Sequence, residues 1–198
     1  MEDAAAKLEE LAGSVQRCER CPQFVASRLR ALPGAGHPHA HLMLVALHPS
    51  EDEEAAGRPA GSSLRAALAQ VIPGLPAESV ASVYCTALLK CVPRGDAQRR
   101  SPSVEELANC YGYLSREIST ITPHVLVPVG RQATAFLLLR LFGEEAADST
   151  DPLEARVYDS PAFRVAPLAS AEEIAALDGK ARRAYLERLR PLVARLGL

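Results

Sequence analysis

Four cysteines carry the most specific chemistry in this chain: Cys18 and Cys21 as a C-x-x-C pair, then Cys91 and Cys110 far downstream. A C-x-x-C turn brings two thiolates to one small ion or cluster at little entropic cost, and two further cysteines complete a four-sulfur site. Four thiolates suit tetrahedral zinc and an iron–sulfur cluster alike, and spacing alone does not separate them. The fifth cysteine, Cys85, lies in an apolar run and reads as a small buried hydrophobe. His48 is a second candidate. It ends the apolar run Leu42–Leu47 and precedes Glu51, Asp52 and Glu53, and a histidine at the C-terminal end of a strand is well placed for general acid–base work.

The composition around these residues is that of an ordinary globular protein. Hydrophobic residues make up 48% and charged residues 23% of 198 positions, enough for one sizeable core and short for two domains, so a single domain over 1–198 is expected. No apolar run reaches the roughly 18 residues of a membrane-spanning helix, and the N-terminus lacks a basic patch followed by an apolar stretch. A C-x-x-C pair without an export signal reads as metal-binding or redox, and the cytoplasm is the expected compartment. A net charge of −2 argues against an obligate polyanion surface yet hides basic clusters. Arg94, Arg99 and Arg100 follow Cys91, six basic residues fall between Lys180 and the C-terminus, and Glu51-Asp52-Glu53-Glu54 is an acidic run that reads as solvated. Local basic patches can bind phosphates even on a mildly acidic protein.

The elements that position these residues alternate between strands and helices. Residues 2–16 have an amphipathic pattern leading into the first cysteine pair. Apolar runs at Leu42–Leu47, Val83–Leu89 and Val125–Gly130 have the character of strands covered on both faces, and a shorter run at Phe163–Pro167 supplies a fourth. Helices are predicted at about 63–71, from the capping box Ser103-Val-Glu-Glu106 to about Thr120, at Arg131–Phe142 and at roughly 179–195. Residues 144–161 read as an irregular excursion. The alternation predicts an α/β fold with a parallel sheet between helices. Ligands in such folds sit beyond the C-terminal ends of the strands.

The motifs Cys18-x-x-Cys21-Pro22, Gly34-Ala-Gly36-x-Pro38-x-Ala40-x-Leu42-Met43-x-Val45, Gly57-Arg58-Pro59, Val83-Tyr84-x-Thr86-x-x-x-Lys90-Cys91-x-Pro93, Pro102-x-x-Glu105-Glu106-x-x-x-Cys110 and Gly130-Arg131-x-Ala133 occur in that order. In this the chain resembles the iron–sulfur uracil-DNA glycosylases of the family-4 type, from about residue 18 to 140. The resemblance implies a three-layer α/β/α sandwich with a central four-stranded parallel sheet. It also implies a 4Fe-4S cluster on Cys18, Cys21, Cys91 and Cys110 (zinc being the alternative) and a cluster-braced loop whose Arg94, Arg99 and Arg100 touch DNA phosphates. His37, His39 and His41 fall at variable positions of the family pattern, and read as exposed loop residues rather than a metal site.

Excising a flipped-out base requires a pocket that stacks on it and reads its edge, a polar group for water or the oxocarbenium-like sugar, and a donor for the departing base. Each position at which the resembled family provides these is altered here. Leu47 stands for the acid of the first turn, Ala60 for the stacking Phe, Ala87 for the base-reading Asn, and Ala166-Pro-Leu168-Ala-Ser170 lacks the His of the fourth-strand turn. The expectation is a DNA-binding member of that family, in DNA repair and as a monomer, with standard uracil excision lost and single-stranded or damaged DNA as its partner. Two alternatives stand beside it. One is a base-excision N-glycosylase for another damaged base, using His48 and a nearby acid. The other is a protein-interaction module whose former pocket is an apolar groove. A filled pocket counts against the enzyme; an open cavity with His48 at its wall supports it.

Overall fold

The computed structural model describes residues 2–62, 64, 82–94, 100–143 and 151–196. The helix expected at about 63–71 lies, except for Leu64, outside the described residues, as do Arg99 and the first part of the 144–161 excursion. Two helices, α1 (Glu2–Gln16) and α2 (Pro22–Ser27), precede the sheet. The strands are β1 (Ala35–Gly36), β2 (Leu42–Ala46), β3 (Tyr84–Ala87), β4 (Val125–Pro128), β5 (Tyr158–Asp159) and β6 (Arg164–Val165). Between and after them run α3 (Glu51–Ala56), α4 (Val104–Ile121), α5 (Arg131–Phe142), a 3-10 turn (Pro152–Glu154), α6 (Ala171–Ala175) and α7 (Gly179–Leu196).

The strand order is β1-β3-β2-β4-β6-β5. The central four, β3, β2, β4 and β6, are parallel, which is the expected sheet. Two antiparallel edge strands of two residues each extend it. Such short strands leave no periodicity in a sequence, and β5 lies in the stretch read as irregular. It is held to β6 by a tight turn in which the Ser160 amide donates to the Phe163 carbonyl at 3.0 Å.

The apolar runs of the strands are buried on both faces. Met43, Val45, Tyr84 and Leu126 pack with Leu11 and Val15 of α1, Leu107 and Leu114 of α4, and Leu137 of α5. Alternate residues Leu42, Leu44, Cys85, Val125 and Val127 pack on the other side with Tyr185 and Leu189 of α7. Cys85 is 1% exposed there, the core position anticipated for it. Each fully buried leucine or valine stabilises the fold by about 1.5–3 kcal/mol, so the three layers are held by ordinary hydrophobic burial.

The acidic run departs from expectation. Ser50-x-x-Glu53 is a capping box that starts α3, and its left-handed C-cap is Gly57 at φ 65°. Glu53 and Glu54 are buried rather than solvated. Strand β3 leads left from β2 while β4 lies to its right, so the order reverses between β2 and β4, where an α/β sheet opens its crevice.

Candidate cysteine centre and strand-end crevice

Cys18, Cys21, Cys91 and Cys110 line one small cleft together with Phe24, Ala31, Leu89 and Arg28. Cys18 follows α1, and Cys21 is the N-cap of α2, with Pro22 at the first helical position, where its missing N–H costs nothing. Cys91 follows β3, and Cys110 lies on the buried face of α4. None of the five cysteines is in a disulfide. The Cys91 sulfur accepts from Arg28 Nη1, and the Cys110 sulfur accepts from the Lys90 amide, both at 3.3 Å. Arg28 also donates to the Cys18 carbonyl.

Burial pushes the Cys110 thiol up to about 11 and raises those of Cys91 and Cys21 as well. The neighbouring cysteine sulfurs push each of them in the same direction. Holding thiolates in such a place requires positive charge beyond Arg28 and Lys90, and soft metal is what four sulfurs recruit. The donor set and its apolar wall therefore fit a sulfur-ligated metal group. Among the described residues no three His, Cys, Asp or Glu side chains are arranged around a single ion.

Beneath this cleft lies a network that the sequence did not reveal. Lys90 Nζ pairs with Glu117 Oε2 at 2.8 Å, each side chain 1% exposed. Thr86 Oγ1 donates to Glu117 Oε2 at 2.8 Å and accepts from Lys90. The other Glu117 oxygen accepts from the Gly34 amide at 3.3 Å and from the Tyr84 hydroxyl at 3.4 Å. Burial first, then the Glu117 charge, drives the Tyr84 phenol far above its ordinary range. Every member carries a partner, as buried polar groups must.

The arginines after Cys91 are braced. Arg94 pairs with Glu54, whose side chain is 0% exposed, and donates to the Ser27 carbonyl at 3.1 Å. Arg100 forms two bonds to Glu106, at 2.6 and 2.8 Å, and lies over the Phe24 ring. Arg100, with help from Gln23 and the Ser103 amide, holds the Glu106 carboxyl at about 2.

A crevice of about 490 Å³ opens at the strand ends, where the order reverses. Its walls come from the turn after β2 (Leu47 to Glu51), from Gly130 to Ala133 after β4, and from Ser170 to Glu173 after β6. His48 is on its wall, with Nδ1 at 2.8 Å from the Pro49 carbonyl. A carbonyl only accepts, so Nδ1 is the donor in this contact. Glu53 is spent: it accepts from the Ser50 amide at 3.0 Å, the Gly61 amide at 3.3 Å and the Ser62 hydroxyl at 3.1 Å. Glu51 also lines the crevice. Glu173 closes a capping box with Ser170 and accepts from the Arg131 amide at 2.9 Å.

Beside the crevice, the end of β3 is packed over by small apolar side chains. Ala60 and Ala87, each 0% exposed, form one apolar cluster with Ala46 and Leu32. The Ala60 amide donates to the Pro33 carbonyl at 2.9 Å. A Cβ added at Gly61 would meet the Thr86 carbonyl at 2.6 Å, so this loop lies flat on the end of β3. Leu168, at the fourth-strand turn, is buried. His37, His39 and His41 are exposed, with the His41 ring stacked on His124 at 4.4 Å.

The sequence model of the uracil DNA glycosylase superfamily matches residues 33–190. The chain belongs to that superfamily, as its sheet order and strand-end crevice suggest. Within it, the chain is similar to the type-4 uracil-DNA glycosylases. It is 32% identical over 138 residues to that of Saccharolobus solfataricus, covering 68% of this chain and 60% of the relative. Identity is 32% over 145 residues to the Sulfurisphaera tokodaii protein, covering 72% of this chain and 63% of the relative. To the Archaeoglobus fulgidus protein it is 33% over 134 residues, covering 66% and 63%. The chain thus spans about three fifths of the length of these relatives. No described helix is long and apolar enough to cross a membrane.

Proposed function

We propose that this protein is an iron–sulfur, DNA-binding member of the uracil DNA glycosylase superfamily that acts in DNA repair without excising uracil. The observation that carries the loss of excision is the closed cluster of Ala46, Ala60, Ala87 and Leu32. It offers no ring to stack on a base and no amide to read one. Leu47, on the crevice wall, can neither orient water nor steady a cationic sugar.

Cys18, Cys21, Cys91 and Cys110 are assigned as ligands of a 4Fe-4S cluster. Their shared cleft of four sulfurs behind an apolar wall supports a sulfur-ligated group, with zinc as the alternative. When bound, the cluster supplies a covalent staple joining the α1–α2 turn to the loop after β3 and to α4. The protein's own part is to orient the sulfurs through Arg28 and the Lys90 amide and to exclude water with Phe24 and Leu89. Arg94 and Arg100 brace the loops beside this staple. Their outward edges, with 29% and 35% of each side chain exposed, offer DNA phosphates a contact shared with Glu54 and Glu106. The site of action is the cytoplasm, where thiols stay reduced, and the acting form is a monomer.

His48 supports a second reading, excision of another damaged base: an open crevice with His48 and Glu51 on the same wall. The closed base positions weigh against it.

Two measurements on anaerobically purified protein test the leading reading. Iron and acid-labile sulfide should appear in equal amounts, whereas zinc would bring metal without sulfide. Binding to a labelled oligonucleotide should weaken steeply with salt, with log K falling per tenfold rise in salt by about 0.9 for each phosphate neutralised on duplex DNA. No binding at low salt would remove the DNA-binding role.

A further inference from the structure

We infer that His41 and His124 form a binding site for a divalent transition-metal ion of tetragonal preference, the Cu2+ and Ni2+ class. The site lies at the N-terminal ends of β2 and β4, the end of the sheet opposite the crevice, and it stands apart from the cysteine centre and from DNA binding.

His37, His39 and His41 alternate in the sequence as though they formed one row, but the fold splits them. His37 and His39 face each other with ring centres 6.2 Å apart, and the His39 amide donates to His37 Nδ1 at 3.2 Å. His41 instead meets His124, with ring centres 4.4 Å apart and planes tilted by 31°. Both side chains are exposed. Nothing near His41 in the sequence points to this partner.

The spacing selects the ion. With metal–nitrogen bonds of about 2.0–2.1 Å, two imidazoles on one ion have ring centres about 4.5 Å apart at a right angle and about 5 Å apart at a tetrahedral angle. The observed 4.4 Å matches the right angle, which belongs to Cu2+ and Ni2+ rather than to tetrahedral zinc. Rotation about Cβ–Cγ, a broad torsion in histidine, aims the ring nitrogens at a common point while the backbone stays in place.

That backbone is held firmly. The His41 carbonyl accepts from the His124 amide at 3.0 Å and from the Val125 amide at 2.9 Å. The His124 carbonyl accepts from the Arg164 amide at 2.9 Å. Leu42 and Val125, the residues that follow the two histidines, are register partners on parallel strands. Pro123 precedes His124, and before it stands Thr122 at φ 49°, with Ala155 one of two non-glycine residues of positive φ among the described residues. A β-branched residue seldom adopts the left-handed conformation, and such outliers cluster where a side chain must be aimed at a ligand.

Among the described residues no third His, Cys, Asp or Glu completes a set around one ion. Water or an outside ligand therefore fills the remaining positions, and an ion held by two protein ligands is exchangeable. While bound, it joins β2 to β4 and stabilises the folded state by mass action.

The test is calorimetric titration of Ni2+ into anaerobically purified full-length protein with its cysteine centre loaded. Ni2+ is the probe because it does not oxidise that centre. Wild-type protein should bind one ion, and His41→Ala and His124→Ala should each weaken binding by at least about tenfold, because the second imidazole of a chelating pair binds intramolecularly. The double variant His37→Ala with His39→Ala should bind as wild type does. Ni2+ should also raise the melting temperature of wild-type protein but not of His124→Ala, and it should selectively broaden the imidazole proton resonances of His41 and His124. Metal and sulfide content of the cysteine centre should be equal in all variants, so that the titration reports on histidine alone. Failure of wild-type protein to bind Ni2+, or equal binding by the two single variants and wild type, overturns the site. Loss of binding on replacing His37 and His39 instead would assign the ion to that pair and overturn it as well.

Discussion

Lys90 and Glu117 form an ion pair at 2.8 Å with each side chain only 1% exposed, between the cysteine cleft and the end of β3. The Lys90 amide reaches the Cys110 sulfur, while its ammonium reaches Thr86, one residue before the buried Ala87. One residue thus ties the cysteine cleft to the end of β3. Breaking a buried pair leaves one charge uncompensated, at a cost of about 3–5 kcal/mol, whereas replacing both partners with apolar groups is often close to neutral. Lys90→Met and Glu117→Leu should each lower stability in urea by that amount, and the double variant by clearly less than the sum. Additive losses would show that the two side chains act independently.

The closed base positions make a packing prediction. Ala60 and Ala87 have no exposed surface, so Ala60→Phe must overpack the cluster, at a cost of about 1–3 kcal/mol. Ala87→Asn buries an amide without a partner, a penalty of similar size. Both variants should melt several degrees below wild type. An unchanged melting temperature for Ala60→Phe would reveal room for a ring and reopen the question of a base pocket.

Acid should find Glu106. Its carboxyl ordinarily titrates near 4.5 and is held at about 2 in the folded protein, first by Arg100 and then by Gln23 and the Ser103 amide. A folded value below the unfolded one contributes stability that is fully present above about pH 4.5 and disappears as the pH falls toward 2. With Arg100 partly open to water, the contribution is about 2–3 kcal/mol at most. Chemical denaturation of Glu106→Gln should show a shallower loss of stability between pH 4.5 and 2 than wild type. Parallel curves for the two proteins would contradict the assignment.

The four clustered cysteines and the fifth should separate cleanly. Cys91→Ser and Cys110→Ala should each deplete iron and lower the melting temperature, while Cys85→Ala should leave iron content unchanged. Loss of iron in Cys85→Ala would place that residue outside the core role its 1% exposure gives it.

Much of the scaffold was legible because its signals are periodic or obligatory. The apolar runs at Leu42 and Val125, the Ser103–Glu106 capping box and the helix Arg131–Phe142 follow from burial on two faces and from helix-end chemistry. The crevice lies at the strand ends, as topology requires. Less legible were features that depend on partners distant in sequence. Glu54 looks like one acid in a solvated run until it is seen beneath Leu29 and Arg94, residues 25 and 40 positions away. Ser50-x-x-Glu53 carried a usable helix-start signal, but the surrounding acids masked it. Lys90 was visible as part of a motif, yet nothing near it in the sequence announces Glu117. The strands β1 and β5 are too short to leave a pattern.

Single-turnover base release bears most directly on the central claim. Iron-loaded protein in excess would be incubated with oligonucleotides carrying uracil, hypoxanthine, xanthine or an alkylated base, and cleavage at the resulting abasic site would be followed. The account predicts intact DNA on every substrate, with binding retained. Release of uracil would contradict it outright. Release of another base, abolished by His48→Ala, would replace it with a glycosylase whose active site has been rebuilt in the crevice.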